Sequence, residues 1–329
     1  MTTRAQFRPR VPPASDQPTL VAALELVEAR LQTQIGSRED LLSDISRYLI
    51  GSGGKRVRPA VTLLLFRACG GRELHDIVDV ATALELIHSA SLLHDDIIDG
   101  AAVRRGKDSP FRKYGLANAL VAGDFIFSRA FQLCARFEEK LIKWAAEACI
   151  SLTEGEVMQG RFRHNPAVTV ADYLEIISRK TASIFQQGAR TAAYLAGAPE
   201  TVVEAVASCG FDVGMTFQIV DDLLDVEASE ERVGKPVGID LRDGNPSLPI
   251  VLALPRDAEL ARAFENPALT EAEIAAILAR IRASRVPGEA RALAAEYGER
   301  ARRALDVLPP SADKDEVLFL IDQLLHRTQ

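Results

Sequence analysis

Two short acidic runs sit inside otherwise apolar stretches: Leu92-Leu93-His94-Asp95-Asp96-Ile97-Ile98-Asp99 and Phe217-Gln218-Ile219-Val220-Asp221-Asp222-Leu223-Leu224-Asp225. Both place their acids at i, i+1 and i+4. On an α-helix the first and third acids stand about 6 Å apart along the axis, one above the other, and can grip a common ligand. Carboxylates crowded into apolar surroundings repel one another and are poorly solvated, so a fold that buries both runs must bring cations to them. Most charge clusters are solvated helix faces. A second copy with the same spacing and similar flanks argues against that reading here. Oxygen-only, multi-carboxylate sites suit hard divalent ions, Mg²⁺ above all when phosphate supplies further ligands.

The rest of the chain predicts helices. Ser37 and Asp40 form a capping pair, after which Leu41, Leu42, Ile45, Tyr48 and Leu49 fall on one face until Gly51. Thr270 and Glu273 repeat the device before Ile274, Ile277, Leu278 and Ile281. Beyond Pro309 and Pro310, a last helix carries Val317, Leu318, Ile321, Leu324 and Leu325. Segments 80–94 and 213–226 are apolar almost all round, as helices at the centre of a bundle are. The glycines at 51–54 and 70–71 mark loops. Sustained strand alternation and fixed-period repeats are missing. The expectation is a flexible, proline-rich, basic tail over residues 1–18, then a single all-α domain over 19–329, a large bundle of many helices. A transit peptide is the alternative reading of the tail.

With 39 basic and 46 acidic residues, the net charge of −7 disfavours broad attraction to a phosphate backbone, so nucleic acid is not an expected partner. The longest uncharged stretch, Gly244 to Pro255, holds three prolines and is too short for a transmembrane segment. Cys69, Cys134, Cys149 and Cys209 show no paired spacing and read as reduced thiols of an intracellular, cytoplasmic protein. Against the acidic balance, Gly53-Gly54-Lys55-Arg56-Val57-Arg58-Pro59 and Arg104-Arg105-Gly106 concentrate cations suited to anion binding. Either cluster alone is ordinarily surface charge. Because Arg104 and Arg105 closely follow Asp99, metal-binding acids and phosphate-binding bases lie together, which points to a diphosphate bridged by Mg²⁺.

This combination resembles the trans-isoprenyl diphosphate synthase family, most of all its medium- and long-chain all-trans members. The resemblance runs from about residue 40 to the C-terminus, through Gly-Gly-Lys-Arg-Val-Arg-Pro at 53–59, His88, both acidic runs, Arg104-Arg105-Gly106, Gly123-Asp124, Lys180-Thr181, Phe217-Gln218 and Gly234-Lys235-Pro236. Each element is weak alone; their order is specific. The resemblance implies an isoprenoid-synthase bundle around a central cavity and a Mg²⁺-dependent prenyltransferase, usually homodimeric. Asp95, Asp99 and Asp221 would bind Mg²⁺, supported by Asp96, Asp222 and Asp225. The allylic diphosphate would be held by these metals with Arg104, Lys180 and Lys235, with Thr181 and Gln218 in the same region. Lys55, Arg58, His88 and Arg105 would bind isopentenyl diphosphate. One departure stands out: relatives often carry Lys in a Gly-Lys-x-Thr-Leu-Pro stretch that here reads Gly244-Asn245-Pro246-Ser247-Leu248-Pro249.

Ala90 and Ser91 lie about one turn before Asp95, where a growing hydrocarbon would descend between helices. Short-chain members typically place a bulky aromatic near there, so the small residues predict a medium- or long-chain product, of the kind used as a quinone side chain. Phe125, Phe127 or Phe131 could form a deeper floor, or be ordinary core. Four other readings remain: a farnesyl or geranylgeranyl diphosphate synthase of the same family, a class I terpene cyclase, a non-catalytic subunit of a heteromeric synthase, and a di-iron bundle. Lys55, Arg58 and Arg105 oppose the cyclase and the two intact acidic runs oppose the subunit. The di-iron reading rests on Glu85-x-x-His88, which has no second copy.

Overall fold

The computed structural model describes residues 19–51, 53–104, 106–227 and 238–327. The expected tail over 1–18, Arg105 and the Gly234-Lys235-Pro236 stretch lie outside the described residues. The all-α expectation holds: the elements are α1 (Leu20–Gln34), α2 (Asp40–Ile50), α3 (Val57–Ala68), α4 (Leu74–Ile98), α5 (Pro110–Tyr114), α6 (Leu116–Cys134), α7 (Glu139–Phe162), α8 (Val170–Ile177), α9 (Ser183–Leu195), α10 (Glu200–Glu227), α11 (Ile239–Asp243), α12 (Leu248–Ala253), α13 (Ala258–Phe264), α14 (Glu271–Ala283), α15 (Val286–Ala304) and α16 (Ala312–Leu325). One miniature hairpin interrupts them, β1 (Val103–Arg104) pairing antiparallel with β2 (Lys107–Asp108). Two residues per strand leave no alternation to read, which is why the sequence shows no sign of it.

Several helix starts follow local chemistry. Thr270 and Glu273 make the expected capping box on α14, and Thr169 and Asp172 make another on α8. The start of α2 differs from expectation. Glu39 is its N-cap and makes no side-chain cap bond, while Ser37 Oγ accepts from the Glu39 N–H at 3.1 Å, a local turn just ahead of the helix. Its buried stripe is also rotated. Ile45, Leu49 and Ile50 are inside, whereas Leu41 is exposed.

The chain divides into two compact units, residues 1–147, 187–207 and 307–317 in one, and 148–186, 208–306 and 318–329 in the other. In the first, α4 packs against α6, α3 and α1. An unbroken run from Ile77 to Ile87 is buried there, including two carboxylates that each find cations. Asp79 accepts from Arg30 at 2.7 Å and pairs with Arg136 at 2.8 Å, and Glu85 pairs with Arg56 at 2.8 Å. In the second unit, Tyr173, Ile219, Leu223, Leu248, Ile250, Phe264, Ile274, Leu278 and Ile281 belong to one continuous apolar core. By length and composition α4 and α10 resemble bilayer-crossing helices, yet most of each is buried inside the protein, as core helices are.

Candidate active site

In the first unit the basic loop is built around Arg56, which caps α3 in a left-handed conformation, φ 48°. That strained backbone is held by its side chain: the guanidinium bonds Glu28 at 3.0 Å, Glu85 at 2.8 Å and the Ile50 carbonyl at 3.2 Å. Burial draws its pKa down, but the two carboxylates outweigh it and raise it above the ordinary value. With Arg56 clamped, Lys55 beside it is exposed and Arg58 half-buried, so the two cations expected at the isopentenyl diphosphate are carried on a fixed turn. Glu85 is thereby engaged by Arg56, which removes it from the di-iron reading. His88, one turn further along α4, is half-buried.

At the C-terminal end of α4 the Asp99 N–H donates to the Asp95 carbonyl at 2.8 Å, confirming the one-turn spacing of those acids. Asp95 and Asp96 are both buried. Asp96 Oδ1 accepts from Arg104 Nε at 2.6 Å, because the β1–β2 hairpin, turning through Gly106 at φ +75°, folds Arg104 back onto the helix. Its other oxygen is buried without a hydrogen-bond partner. Desolvation raises the Asp96 pKa, Arg104 opposes that, and Asp99 adds to it. Gly123 permits the close approach of α6, since a Cβ there would lie 2.2 Å from His94 Nε2. His94 stacks on Phe127 at 5.8 Å, immediately before Asp95. Ala90 is fully buried, and Ser91, nearly so, donates its hydroxyl to the His88 carbonyl at 2.9 Å.

In the second unit a π-helical turn, Ser178–Ala182, joins α8 to α9 and carries Lys180 and Thr181. Lys180 Nζ donates to Gln159 Oε1 at 3.0 Å and pairs with Glu156. Thr181 Oγ1 donates to Gln218 Oε1 at 2.9 Å, and Gln218 Nε2 donates to Asp222 Oδ1 at 2.7 Å. The other Asp222 oxygen accepts from Tyr173 Oη at 2.7 Å and from the Leu248 N–H at 3.2 Å. Burial pushes Asp222 up to about 7 despite those three donors, with Asp221 adding to the rise. Asp225 caps α11, accepting from the N–H groups of Ile239 at 3.2 Å and Asp240 at 3.1 Å. Desolvation raises it too, against those backbone donors. Asp221 is half-exposed and pairs with Arg327 at 3.3 Å.

Sequence reasoning missed Asp240, Tyr173, Gln159 and Arg327. Asp240 is pushed well above the carboxylate range by desolvation and then by Asp225, Asp222 and Asp221. Asp240, the second residue of α11, has no spacing to the acidic runs that would signal this, and Arg327 meets Asp221 from the far end of the chain. Asp222, Asp225 and Asp240, each raised by burial and by Asp221 beside them, form a carboxylate cluster of the kind a hard cation relieves. In the first unit, the orphaned oxygen of Asp96 is a further hard donor. Among the described residues no three His, Cys, Asp or Glu form a metal cage by themselves. Mg²⁺ ordinarily takes one or two carboxylates and completes its shell with water and phosphate.

The polyprenyl synthetase family model matches residues 39–281. The chain belongs to the polyprenyl synthetase family. It is 36% identical over 303 residues to the octaprenyl diphosphate synthase of Haemophilus influenzae, covering 90% of this chain and 92% of that one. To the heptaprenyl diphosphate synthase component 2 of Geobacillus stearothermophilus it is 37% identical over 292 residues, 87% of this chain and 90% of the other. A solved polyprenyl synthase from Caulobacter crescentus, complexed with calcium and isoprenyl diphosphate, superposes with a TM-score of 0.89 at 34% identity, over 94% of this chain and 96% of its own. Membership makes the chain a transferase with the isoprenoid-synthase fold.

Proposed function

We propose that this chain condenses isopentenyl diphosphate with an allylic diphosphate, repeatedly, to give a medium- or long-chain all-trans polyprenyl diphosphate of the kind used as a quinone side chain. The observation that carries the reading is the match to octaprenyl and heptaprenyl synthases along about nine-tenths of the chain, with both acidic runs intact. Asp95, Asp99 and Asp221 are the proposed Mg²⁺ ligands. Asp96, Asp222 and Asp225 support them, each engaged by protein donors in ways that fix the helix or loop beside a ligand. Mg²⁺, when bound, supplies the positive charge that stabilises the leaving diphosphate as the allylic C–O bond breaks. Lys180, Arg104 and Lys235 bind and orient that diphosphate, with Thr181 and Gln218 fixing the turn beneath it. Lys55, Arg58, His88 and Arg105 place isopentenyl diphosphate so that its double bond attacks the allylic carbocation, after which a proton leaves to the departing diphosphate. No side-chain nucleophile takes part.

We further propose a homodimer, supported by the apolar residues Leu116, Leu120, Val121 and Phe131 that α6 leaves exposed, and a cytoplasmic location, with which four free cysteines agree. Incubation with Mg²⁺, isopentenyl diphosphate and a panel of allylic primers, followed by mass analysis, tests the reading. Asp95→Ala and Asp221→Ala should each lower kcat by at least ~100-fold. Wild-type rates in both variants would sink it.

A further inference from the structure

On the second unit a single amide oxygen collects two donors. Asn245 Oδ1 accepts from Gln159 Nε2 at 3.0 Å and from Arg163 Nε at 3.1 Å. The other end of the Gln159 amide, Oε1, accepts from Lys180 Nζ at 3.0 Å. Asn245 is held at its backbone, its N–H donating to the Asp240 carbonyl at 2.7 Å and its carbonyl accepting from the Ser247 N–H at 2.9 Å. The end of α7 docks beside it, the His164 N–H donating to the Gly244 carbonyl at 3.0 Å. Gly244 has φ +67°, and a Cβ there would come within 2.4 Å of the His164 ring.

These contacts have only one consistent polarity. An arginine nitrogen donates and never accepts, so Arg163 requires the oxygen of Asn245 to face α7. That oxygen draws the NH₂ of Gln159, which leaves the Gln159 oxygen for the Lys180 ammonium. A side chain at 245 with no acceptor would leave the Gln159 amide unheld and let its NH₂ turn toward Lys180, donor against donor.

We propose that Asn245, oriented by Arg163, is a positioning residue for the diphosphate-binding ammonium of Lys180, acting through the amide of Gln159. The inference rests on the reading of Lys180 as a ligand of the allylic diphosphate. Glu156 also attracts Lys180, but it lies on the same helix as Gln159 and leaves the polarity at position 245 untouched.

The test compares Asn245→Leu, Asn245→Asp and the double variant Asn245→Leu with Gln159→Glu. Two readouts are taken: KM for each substrate, and calorimetric affinity for inorganic pyrophosphate with Mg²⁺. Asn245→Leu should raise the allylic KM and weaken pyrophosphate roughly tenfold, the scale of one hydrogen bond to a charged group. The KM for isopentenyl diphosphate should move by less than about twofold. Asn245→Asp keeps the acceptor and should retain most of the affinity. In the double variant a glutamate presents an oxygen to Lys180 in either orientation, so affinity should return. Unchanged pyrophosphate affinity in Asn245→Leu, or no recovery in the double variant, would overturn the proposal. A wild-type chain that extends no allylic primer would instead sink the condensation reading, while the pyrophosphate comparison still decides the role of Asn245.

Discussion

The middle acid of each Asp-Asp-x-x-Asp run is spent on the protein itself. Successive residues on a helix point about 100° apart, so when Asp95 and Asp221 face one direction, Asp96 and Asp222 must face another. Asp96 meets Arg104, and Asp222 meets Tyr173, Gln218 and the Leu248 N–H. The spacing announces the acids but not these partners, which come from elsewhere in the chain. Small residues announce less still. Ala90 is fully buried one turn before Asp95, and Ala90→Phe should shorten the product by at least one five-carbon unit; unchanged product mass would refute the assignment. Asp212 offers a prediction away from the metal ligands. It lies buried 3.0 Å from Arg300, and desolvation pushes it from 3.8 up to about 6 against the pull of Arg300 and Arg303. A carboxyl whose folded pKa exceeds its unfolded value binds its proton more tightly in the native state. Its contribution is therefore full below about pH 4 and lost as pH rises through about 6. That loss is on the order of 3 kcal/mol. Asp212→Asn should abolish it; equal pH slopes of unfolding free energy in the two proteins would contradict the prediction.

At the scale of elements, what the chain says locally and what its neighbours impose part company. The capping box at Thr270 is a local device and is read correctly, and the same chemistry at Thr169 was equally available in the Thr-x-x-Asp spacing. The π-helical turn at Ser178–Ala182 was not available, because it depends on a different helix. Gly155 of α7 lies so close that an added Cβ would stand 2.5 Å from the Lys180 backbone nitrogen. Gly155→Ala should push that turn away and displace Lys180. The expected result is a fall in kcat/KM for the allylic substrate of roughly tenfold or more, with about 1–3 kcal/mol lost in stability from overpacking. Steady-state kinetics and urea unfolding measure the two, and wild-type kinetics would show that the close approach does not position Lys180.

On the whole molecule, the net charge of −7 is a poor guide to the site, since Asp95, Asp96 and Asp222 are buried and Asp96, Asp222 and Asp225 are engaged by protein donors. Surface composition is more telling on α6, where Leu120 and Val121 are 43% and 54% exposed on a helix whose Ala119, Ala122 and Ile126 are buried. Apolar side chains grouped on one helix favour burial against another surface. Leu120→Asp together with Val121→Asp should convert the proposed homodimer to monomer in light scattering. A wild-type mass for the variant would move the interface elsewhere.

The amino-acid sequence alone determined the helical class, the order of the motifs and the position of each acid, because helix periodicity and capping are written in neighbouring residues. It also carried the chemistry, since two identically spaced acidic runs in apolar helices demand cations wherever they fold. Tertiary structure decided what no local pattern encodes: that Arg56 is clamped by Glu28 and Glu85, that Arg104 returns to Asp96, that Asp240 joins the acids of α10, and that Asn245 reaches Lys180 through Gln159. Those pairings follow from packing of segments distant along the chain, and the desolvation that accompanies packing is what makes each of them necessary.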